Sequence, residues 1–168
     1  GGGGFMVFMN SNGETTTIDF REKAPLASSK TMFLDENGNI KNNSNHKGLL
    51  ATGVPGTVAG LFLAHQKYGK LPWSKLVQPA INLAEQGFIF NWNLYRAGQR
   101  FKKASDQFPF MSSYFDNKKG ELTQPNEIWK QQALANTLKK IRDNGRDGFY
   151  KGDIAEEIAT YMSANGGI

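Results

Sequence analysis

One arginine near the start of the chain has the chemistry to hold an anion. Arg21 lies within residues 19–25, Asp-Phe-Arg-Glu-Lys-Ala-Pro, which follow a run of apolar and β-branched residues. A guanidinium is always charged, and its planar fork of N–H donors fits a carboxylate two bonds at a time. An arginine at the end of a strand can therefore orient an acidic substrate. The alternative from spacing alone is a surface salt bridge to Asp19 or Glu22, which contributes roughly 0–1 kcal/mol.

No other group of residues has catalytic or metal-binding spacing. The chain has no cysteine, which excludes disulfides, thiolate catalysis and zinc–thiolate sites within it. Nucleophile-elbow, Walker and HExxH motifs are absent. His46 lies in a polar loop, and His65 lies beside the apolar stripe of a predicted helix, where a histidine is expected to pack. Glu156 and Glu157 are expected to be solvated. The sequence predicts no metal site and no cofactor.

Two stretches resemble ligand-binding loops, but residues 1–4 are better explained as the start of a strand and residues 35–39 as a turn. Residues 1–4 are all glycine, but a strand follows and no Lys-Ser/Thr pair does, so a phosphate-binding loop is not indicated. Residues 35–39 lack the spacing of a calcium loop, because Gly38 stands fourth rather than sixth from the first acid. We expect a plain turn there.

The formal net charge of +5 and pI near 9.4 permit an anionic partner. The densest groups of basic residues lie near no recognition motif, so we expect them to form a solvated face and expect no nucleic-acid partner. These basic residues are Arg96, Arg100, Lys102, Lys103, Lys118, Lys119, Lys139 and Lys140. Aromatic residues between them are assigned to core packing rather than base stacking; they are Phe101, Phe108, Phe110, Tyr114 and Phe115. No apolar stretch reaches about 18 residues, so no membrane span is predicted.

The elements that position Arg21 are predicted to be a β-hairpin followed by a mainly helical region. Residues 5–9 are apolar on both faces, residues 10–13 favour a turn, and residues 15–20 form the returning strand. A strand that is apolar on both faces needs cover on both sides, as in the middle of a layered sheet. Within this chain the hairpin is expected to lack further partner strands and to leave an unpaired strand edge that can associate with other chains.

Apolar residues at helical spacing predict the other elements. We expect helices over residues 58–68, 79–86, 94–103, 125–144 and 153–164. Pro79 is expected to break the stripe from Trp73 to Ala84, because proline inside a helix costs about 3 kcal/mol. Asp153 is the expected N-cap of the last helix.

Five segments, in this order and at this spacing, resemble the γ-glutamyltransferase (γ-glutamyltranspeptidase) family. They are residues 1–6, 19–25, 32–35, 53–60, and 149–152 together with 165–167. The resemblance spans essentially all 168 residues and corresponds to the N-terminal part of the family's large subunit. It implies one partial domain, residues 1–168, truncated at both ends. The implied fold class is α/β (α+β), a fragment of the αββα fold of N-terminal-nucleophile hydrolases.

The resemblance also implies an activity. In this family the precursor cuts itself, and the new N-terminal threonine of the small subunit attacks the γ-carbonyl of glutathione or a related compound, with its own amine as base. The γ-glutamyl group then passes to an amino acid, a peptide or water. No threonine of this chain is expected to be that nucleophile, so no catalytic residue is assigned here and the segment alone is expected to be inactive.

One functional residue carries over from the resemblance. The family's Asp-Phe-Arg-Glu arginine, Arg21 here, is implied to bind the α-carboxylate of the γ-glutamyl group, with Glu22 bracing it. The implied partners are a γ-glutamyl small molecule and the small subunit, and the implied location is periplasmic or secreted. Two alternatives stay open: a cephalosporin-acylase-like amidohydrolase of the same family and a non-catalytic basic binding module.

Overall fold

A computed structural model of the chain describes residues 2–104, 113–117 and 119–168. The predictions for Gly1, Phe108, Phe110 and Lys118 lie outside the described residues. The main elements are β1 (Phe5–Met9), β2 (Thr15–Asp19), α1 (Thr57–Tyr68), α2 (Trp73–Gln86), β3 (Phe88–Ile89), α3 (Trp92–Ala104), β4 (Ile128–Trp129), α4 (Gln132–Asn144), α5 (Asp147–Tyr150) and α6 (Asp153–Ala164). The predicted mixture of helix and strand is confirmed.

The chain divides into two compact units. The first comprises the residues up to Ser74 together with Lys140–Ile168, and the second is Lys75–Lys139. Arg21, the residue predicted to bind a carboxylate, belongs to the first unit.

The predicted hairpin is confirmed. Strands β1 and β2 pair antiparallel, with Val7 opposite Thr17. The side chain of Asn10 closes the turn, because its Oδ1 accepts hydrogen bonds from the N–H groups of Asn12 at 2.9 Å and Glu14 at 3.0 Å. Gly13 has φ of +82°, which a residue with a side chain adopts only at a cost.

The two faces of the hairpin differ in their cover. On one face Ile18 is buried, and the Phe8 ring stacks on Tyr68 of α1 with centroids 4.0 Å apart. On the other face Phe5, Val7 and Met9 are 67%, 73% and 66% exposed. The cover that the apolar pattern demands on both sides is therefore present on one side only.

Helix α1 begins after Gly56 and ends before Gly69, whose N–H donates to the His65 carbonyl at 2.7 Å. This agrees with the prediction. His65 is a packing residue, as expected: its Nε2 lies 2.8 Å from the Leu71 carbonyl oxygen and its ring lies 5.3 Å from the Trp73 ring.

The predicted break in α2 is wrong, because the helix runs unbroken from Trp73 to Gln86 with Pro79 inside it. A helix bonds each N–H to the carbonyl four residues earlier, so proline at position 79 leaves the Lys75 carbonyl without a helical donor. Both residues lie on the exposed side of the helix, where water can satisfy that carbonyl. The apolar stripe continues past the proline, and Ile81 and Ala84 are buried.

The second unit has an aromatic core. Phe90, Phe115, Leu122 and Trp129 are buried together, and Phe101 packs against them. The assignment of Phe101 and Phe115 to the core is confirmed, whereas Tyr114 remains 54% exposed.

The predicted start of the fourth helix at Pro125 is wrong. Residues 128–129 form β4, which pairs antiparallel with β3, and α4 begins only at Gln132. The strand prevails because it buries Trp129, whose ring lies 5.6 Å from Phe88 and 5.4 Å from Phe90.

The predicted N-cap of the last helix is off by one residue. Gly152, with φ of +64°, is the N-cap, and Asp153 is the first residue of α6. The Asp153 carboxylate pairs with Lys140 instead, and the hydrogen bond from Lys140 is the main cause that lowers the pKa of Asp153. Glu156 and Glu157 are exposed, as expected.

Candidate functional site

Arg21 lies directly beyond β2, where the chain leaves the hairpin. Its backbone N–H donates to Asp19 Oδ1 at 3.0 Å, which fixes the turn out of the strand. The side chain is 60% exposed. A buried ion pair would have excluded a binding role for Arg21, and its exposed side chain is not in one.

The guanidinium of Arg21 is held by one acid and one ring. Nη2 donates to Glu22 Oε1 at 3.1 Å, and the guanidinium carbon lies 5.9 Å from the centroid of the Phe5 ring. An arginine has five N–H donors, so these contacts orient the group and leave donors for a second carboxylate.

Glu22 is suited to this bracing role. A backbone hydrogen bond, and after it the hydrogen bond from Arg21, hold the pKa of the Glu22 carboxyl below its usual range. The carboxylate therefore stays ionised and keeps its attraction for the guanidinium. The contact between Glu22 and Arg21 agrees with the expectation from the sequence.

Three glycines allow the backbone that carries Arg21 to be packed from both sides. A Cβ on Gly3 would lie 2.4 Å from Arg21 Cα, and one on Gly56 would lie 2.2 Å from the Phe20 carbonyl oxygen. A Cβ on Gly60 would lie 2.1 Å from Phe20 Cγ. No side chain fits at such distances, so these glycines fix where Phe20 and Arg21 stand.

Backbone hydrogen bonds complete this clamp. Phe20 N–H donates to the Gly4 carbonyl at 2.9 Å, and Gly56 N–H donates to the Gly2 carbonyl at 2.6 Å. Lys23 and Val54 exchange a pair of bonds, at 3.1 Å and 2.7 Å. The segment 20–23 is therefore fastened to residues 2–4 on one side and to residues 54–56 on the other.

Tyr150 ties the end of the chain to this clamp. Its hydroxyl donates to the Pro55 carbonyl at 2.5 Å and accepts the Ala59 N–H at 3.4 Å. The hydroxyl thus holds the first turn of α1 in place. Composition and spacing do not indicate this role for Tyr150, nor the role of Gly3. A usable signal exists for Gly56 and Gly60, since residues four apart share one helix face.

A cleft of about 300 Å³ opens beside Arg21. Its charged lining residues are Arg21, Lys23 and Arg146 against the single acid Asp19, and the rest is largely apolar surface from α1 and the loop before it. Three cations against one carboxylate favour an anionic ligand.

A second cavity, of about 360 Å³, lies against α6 and differs in character. Its lining includes Val54, Phe149, Ile158 and Met162 and contains no charged side chain. In the described part of the chain, no three Asp, Glu or His side chains cluster as metal ligands. Nor does any helix described there have the length and apolar character needed to cross a bilayer.

Comparisons with known proteins agree on one family. A family model described as Gamma-glutamyltranspeptidase matches residues 1–168. The chain is 42% identical over 174 residues to the glutathione hydrolase proenzyme of Pseudomonas sp. (strain A14) and 44% identical over 177 residues to that of Escherichia coli (strain K12). Each match covers 100% of this chain but only 29% of the relative.

A solved structure gives the same result for the fold. The gamma-glutamyltranspeptidase of Helicobacter pylori superposes with a TM-score of 0.93 at 42% sequence identity. The match covers 100% of this chain and 48% of that one.

Proposed function

The chain belongs to the gamma-glutamyltranspeptidase family, and on that premise we propose that it is part of the large subunit of an enzyme that transfers γ-glutamyl groups. The chain has the fold of the corresponding part of an N-terminal-nucleophile hydrolase. It spans about 29% of the length of its curated relatives, so the proposal concerns a larger protein of which this chain supplies the donor-binding segment.

The proposed role of Arg21 is to bind the α-carboxylate of the γ-glutamyl donor. The observation that carries this proposal is an exposed guanidinium, braced by Glu22 and Phe5, at the edge of a cationic cleft. A bidentate contact at the α-carboxylate would fix one end of the glutamyl group and so align its γ-carbonyl for attack.

The reaction needs residues outside this chain. In the proposed scheme the hydroxyl of an N-terminal threonine on the small subunit attacks the γ-carbonyl carbon, and its proton goes to the leaving amine as the amide C–N bond breaks. An amine or water then takes the γ-glutamyl group from the threonine ester. The name proenzyme, carried by the relatives, supports a precursor that is processed. That the precursor cuts itself is part of the proposal.

Neither alternative is favoured. The relatives are named glutathione hydrolase proenzymes, which speaks for a γ-glutamyl donor rather than a cephalosporin. Within the densest basic groups, Lys102, Lys139 and Lys140 each face a carboxylate, of Asp116, Glu85 and Asp153 respectively, which speaks against a basic binding module.

The location is proposed from the family resemblance alone. We propose that the processed enzyme works in the periplasm or outside the cell. Fractionation of cells that express the complete precursor tests this: activity confined to the cytoplasmic fraction would refute it.

The proposed activity is tested with Arg21→Ala and Arg21→Lys in the complete precursor. Hydrolysis of γ-glutamyl-p-nitroanilide by the processed enzyme is expected to lose about 30-fold in kcat/KM on Arg21→Ala, mostly through KM, because a charge-assisted contact is lost. Arg21→Lys keeps the charge but not the fork and should recover only part of this loss.

Arg100→Ala provides the matched control, since Arg100 is an exposed arginine on α3. It should leave the kinetics unchanged. Normal processing with unchanged kinetics for both Arg21 variants would remove Arg21 from the site. No turnover by the processed wild-type protein would reject the proposed activity itself.

A further inference from the structure

A second arginine lines the same cleft as Arg21. Arg146 lies in the short connection between α4 and α5, and its side chain is 52% exposed. It is a residue of the first unit, as Arg21 is. Its sequence context suggests no role, because the segment 144–147 contains only turn residues and charges.

Arg146 is held in the same way as Arg21, by one ring and one acid. Its guanidinium carbon lies 5.0 Å from the centroid of the Tyr150 ring, a cation–π geometry. Its Nη1 lies 3.4 Å from Asp147 Oδ1. The other oxygen of Asp147 lies closer to a cation, 2.8 Å from Lys151 Nζ. Arg146 is therefore the weaker partner of that carboxylate and retains N–H donors for a ligand.

The ring beneath Arg146 is itself fixed. Tyr150 bonds the Pro55 carbonyl and the Ala59 N–H through its hydroxyl. Pro55 and Ala59 also line the cleft. Arg146 thus stacks on a ring that is hydrogen-bonded to the wall of the cleft, and this contact reduces the side-chain freedom lost when a ligand binds.

We propose that Arg146 binds a second carboxylate of the donor, so that this site prefers γ-glutamyl compounds whose leaving group carries a free carboxylate, such as γ-glutamyl peptides. The inference rests on the proposed function, in which Arg21 holds the α-carboxylate. A γ-glutamyl tripeptide carries its two carboxylates at opposite ends, on the order of 10 Å apart when extended. A cleft with two guanidinium groups and one acid complements a donor that carries two carboxylates and one α-ammonium group.

The test compares three donors, two of which differ by one negative charge. Glutathione and its glycyl monoethyl ester differ only by the ethyl group that blocks the second carboxylate, and γ-glutamyl-p-nitroanilide lacks that carboxylate altogether. The complete processed enzyme is assayed with all three, as the wild type and as Arg146→Ala, Arg146→Lys and Arg100→Ala. Arg100 is the matched control, because it is an exposed arginine that does not line the cleft.

The wild type is expected to prefer glutathione over the ester by about tenfold in kcat/KM. Arg146→Ala should abolish that preference through a higher KM for glutathione and affect the anilide far less. Arg146→Lys should keep part of the preference, and Arg100→Ala all of it. A preference that survives Arg146→Ala, or an equal loss on all three donors, would overturn the inference. Failure of the proposed function is a separate outcome, seen as no turnover of any of the three donors by the processed wild type.

Discussion

At the scale of the residue, the site places a flexible side chain, that of Arg21, between two groups that restrict it. Arg21 alone would sample many rotamers, and each binding event would have to order it. Glu22 on one side and Phe5 on the other restrict the guanidinium before a ligand arrives. Pre-organisation of this kind suits a solvent-exposed arginine to the carboxylate binding that we propose for it.

The brace by Glu22 gives a pH prediction. The pKa of Glu22 is depressed in the fold, so its contribution is present above the usual glutamate pKa and is lost as the pH falls through the lower, folded value. Glu22→Gln should therefore raise the KM for γ-glutamyl-p-nitroanilide a few-fold, by a constant ratio to wild type between about pH 5 and 8. Below that window the ratio should fall toward one as the wild type loses its own carboxylate.

The measurement is the ratio of KM values, variant over wild type, across the pH range. The ratio cancels the titration of the nucleophile, which both proteins share. A ratio of one at all pH values would show that Glu22 does not brace Arg21.

At the scale of the element, the site depends on how closely a helix can approach a strand end. Gly56 and Gly60 lie on one face of the start of α1, and that face packs directly on Phe20. The hydrogen bonds of residues 2–4 hold the other side of the same segment. The direction of Arg21 is therefore a property of this packing.

Gly60→Ala tests the packing. The added Cβ would lie 2.1 Å from Phe20 Cγ, so α1 or Phe20 must move, at a cost of about 1–3 kcal/mol in the free energy of unfolding. We expect a lower Tm of the complete enzyme and a higher KM for the γ-glutamyl anilide, because Arg21 moves with Phe20.

Gly38→Ala separates general destabilisation from displacement of the site. Gly38 has φ of +80°, and a Cβ added there would meet nothing within 4 Å, so its substitution costs backbone strain without a clash. It should lower Tm slightly and leave KM unchanged. Equal KM values for wild type and Gly60→Ala would refute the positional role of α1.

Much of the secondary structure can be predicted from the sequence, and the errors have local causes. The hairpin turn and the ends of α1 follow from glycine, asparagine and apolar spacing. Pro79 led to the wrong prediction of a helix break, because the sequence does not show that the Lys75 carbonyl, which loses its helical donor, faces water. Ile128 fits a helical stripe, but the burial of Trp129 among distant rings decides for a strand.

The candidate site can be predicted only in part. Arg21 is found from its motif, because the residues that identify it are its immediate neighbours in the chain. Tyr150 bonds to Pro55 across 95 positions, and the contacts of the glycines with Phe20 also join separate segments. Such contacts depend on tertiary packing, so only coordinates reveal them, and the same holds for the place of Arg146 in the cleft.

At the scale of the whole molecule, the uncovered face of β1 is an exposed apolar surface on the described part of the chain. Phe5, Val7 and Met9 present three large apolar side chains in a row on a two-stranded sheet. The family relatives are longer proteins, in which further chain is available to cover such a face. Without that cover, the apolar row favours self-association.

We therefore expect the 168-residue chain, expressed by itself, to sediment as oligomers. Val7→Lys should shift it toward the monomer in sedimentation velocity, because it places a charge in the centre of the row. Gln66→Lys adds the same charge on the exposed surface of α1 and should not. A monomeric wild-type chain at high concentration would contradict this prediction.

The central claim is that Arg21 recognises the α-carboxylate, and one comparison of donors tests it most directly. The complete processed enzyme, as wild type and as Arg21→Ala, is assayed with γ-glutamyl-p-nitroanilide and with its α-carboxamide, which removes the negative charge and keeps the shape. We predict that the wild type prefers the carboxylate by about 30-fold in kcat/KM and that the preference falls to near one in Arg21→Ala. A preference that is equally large in both proteins would contradict the account.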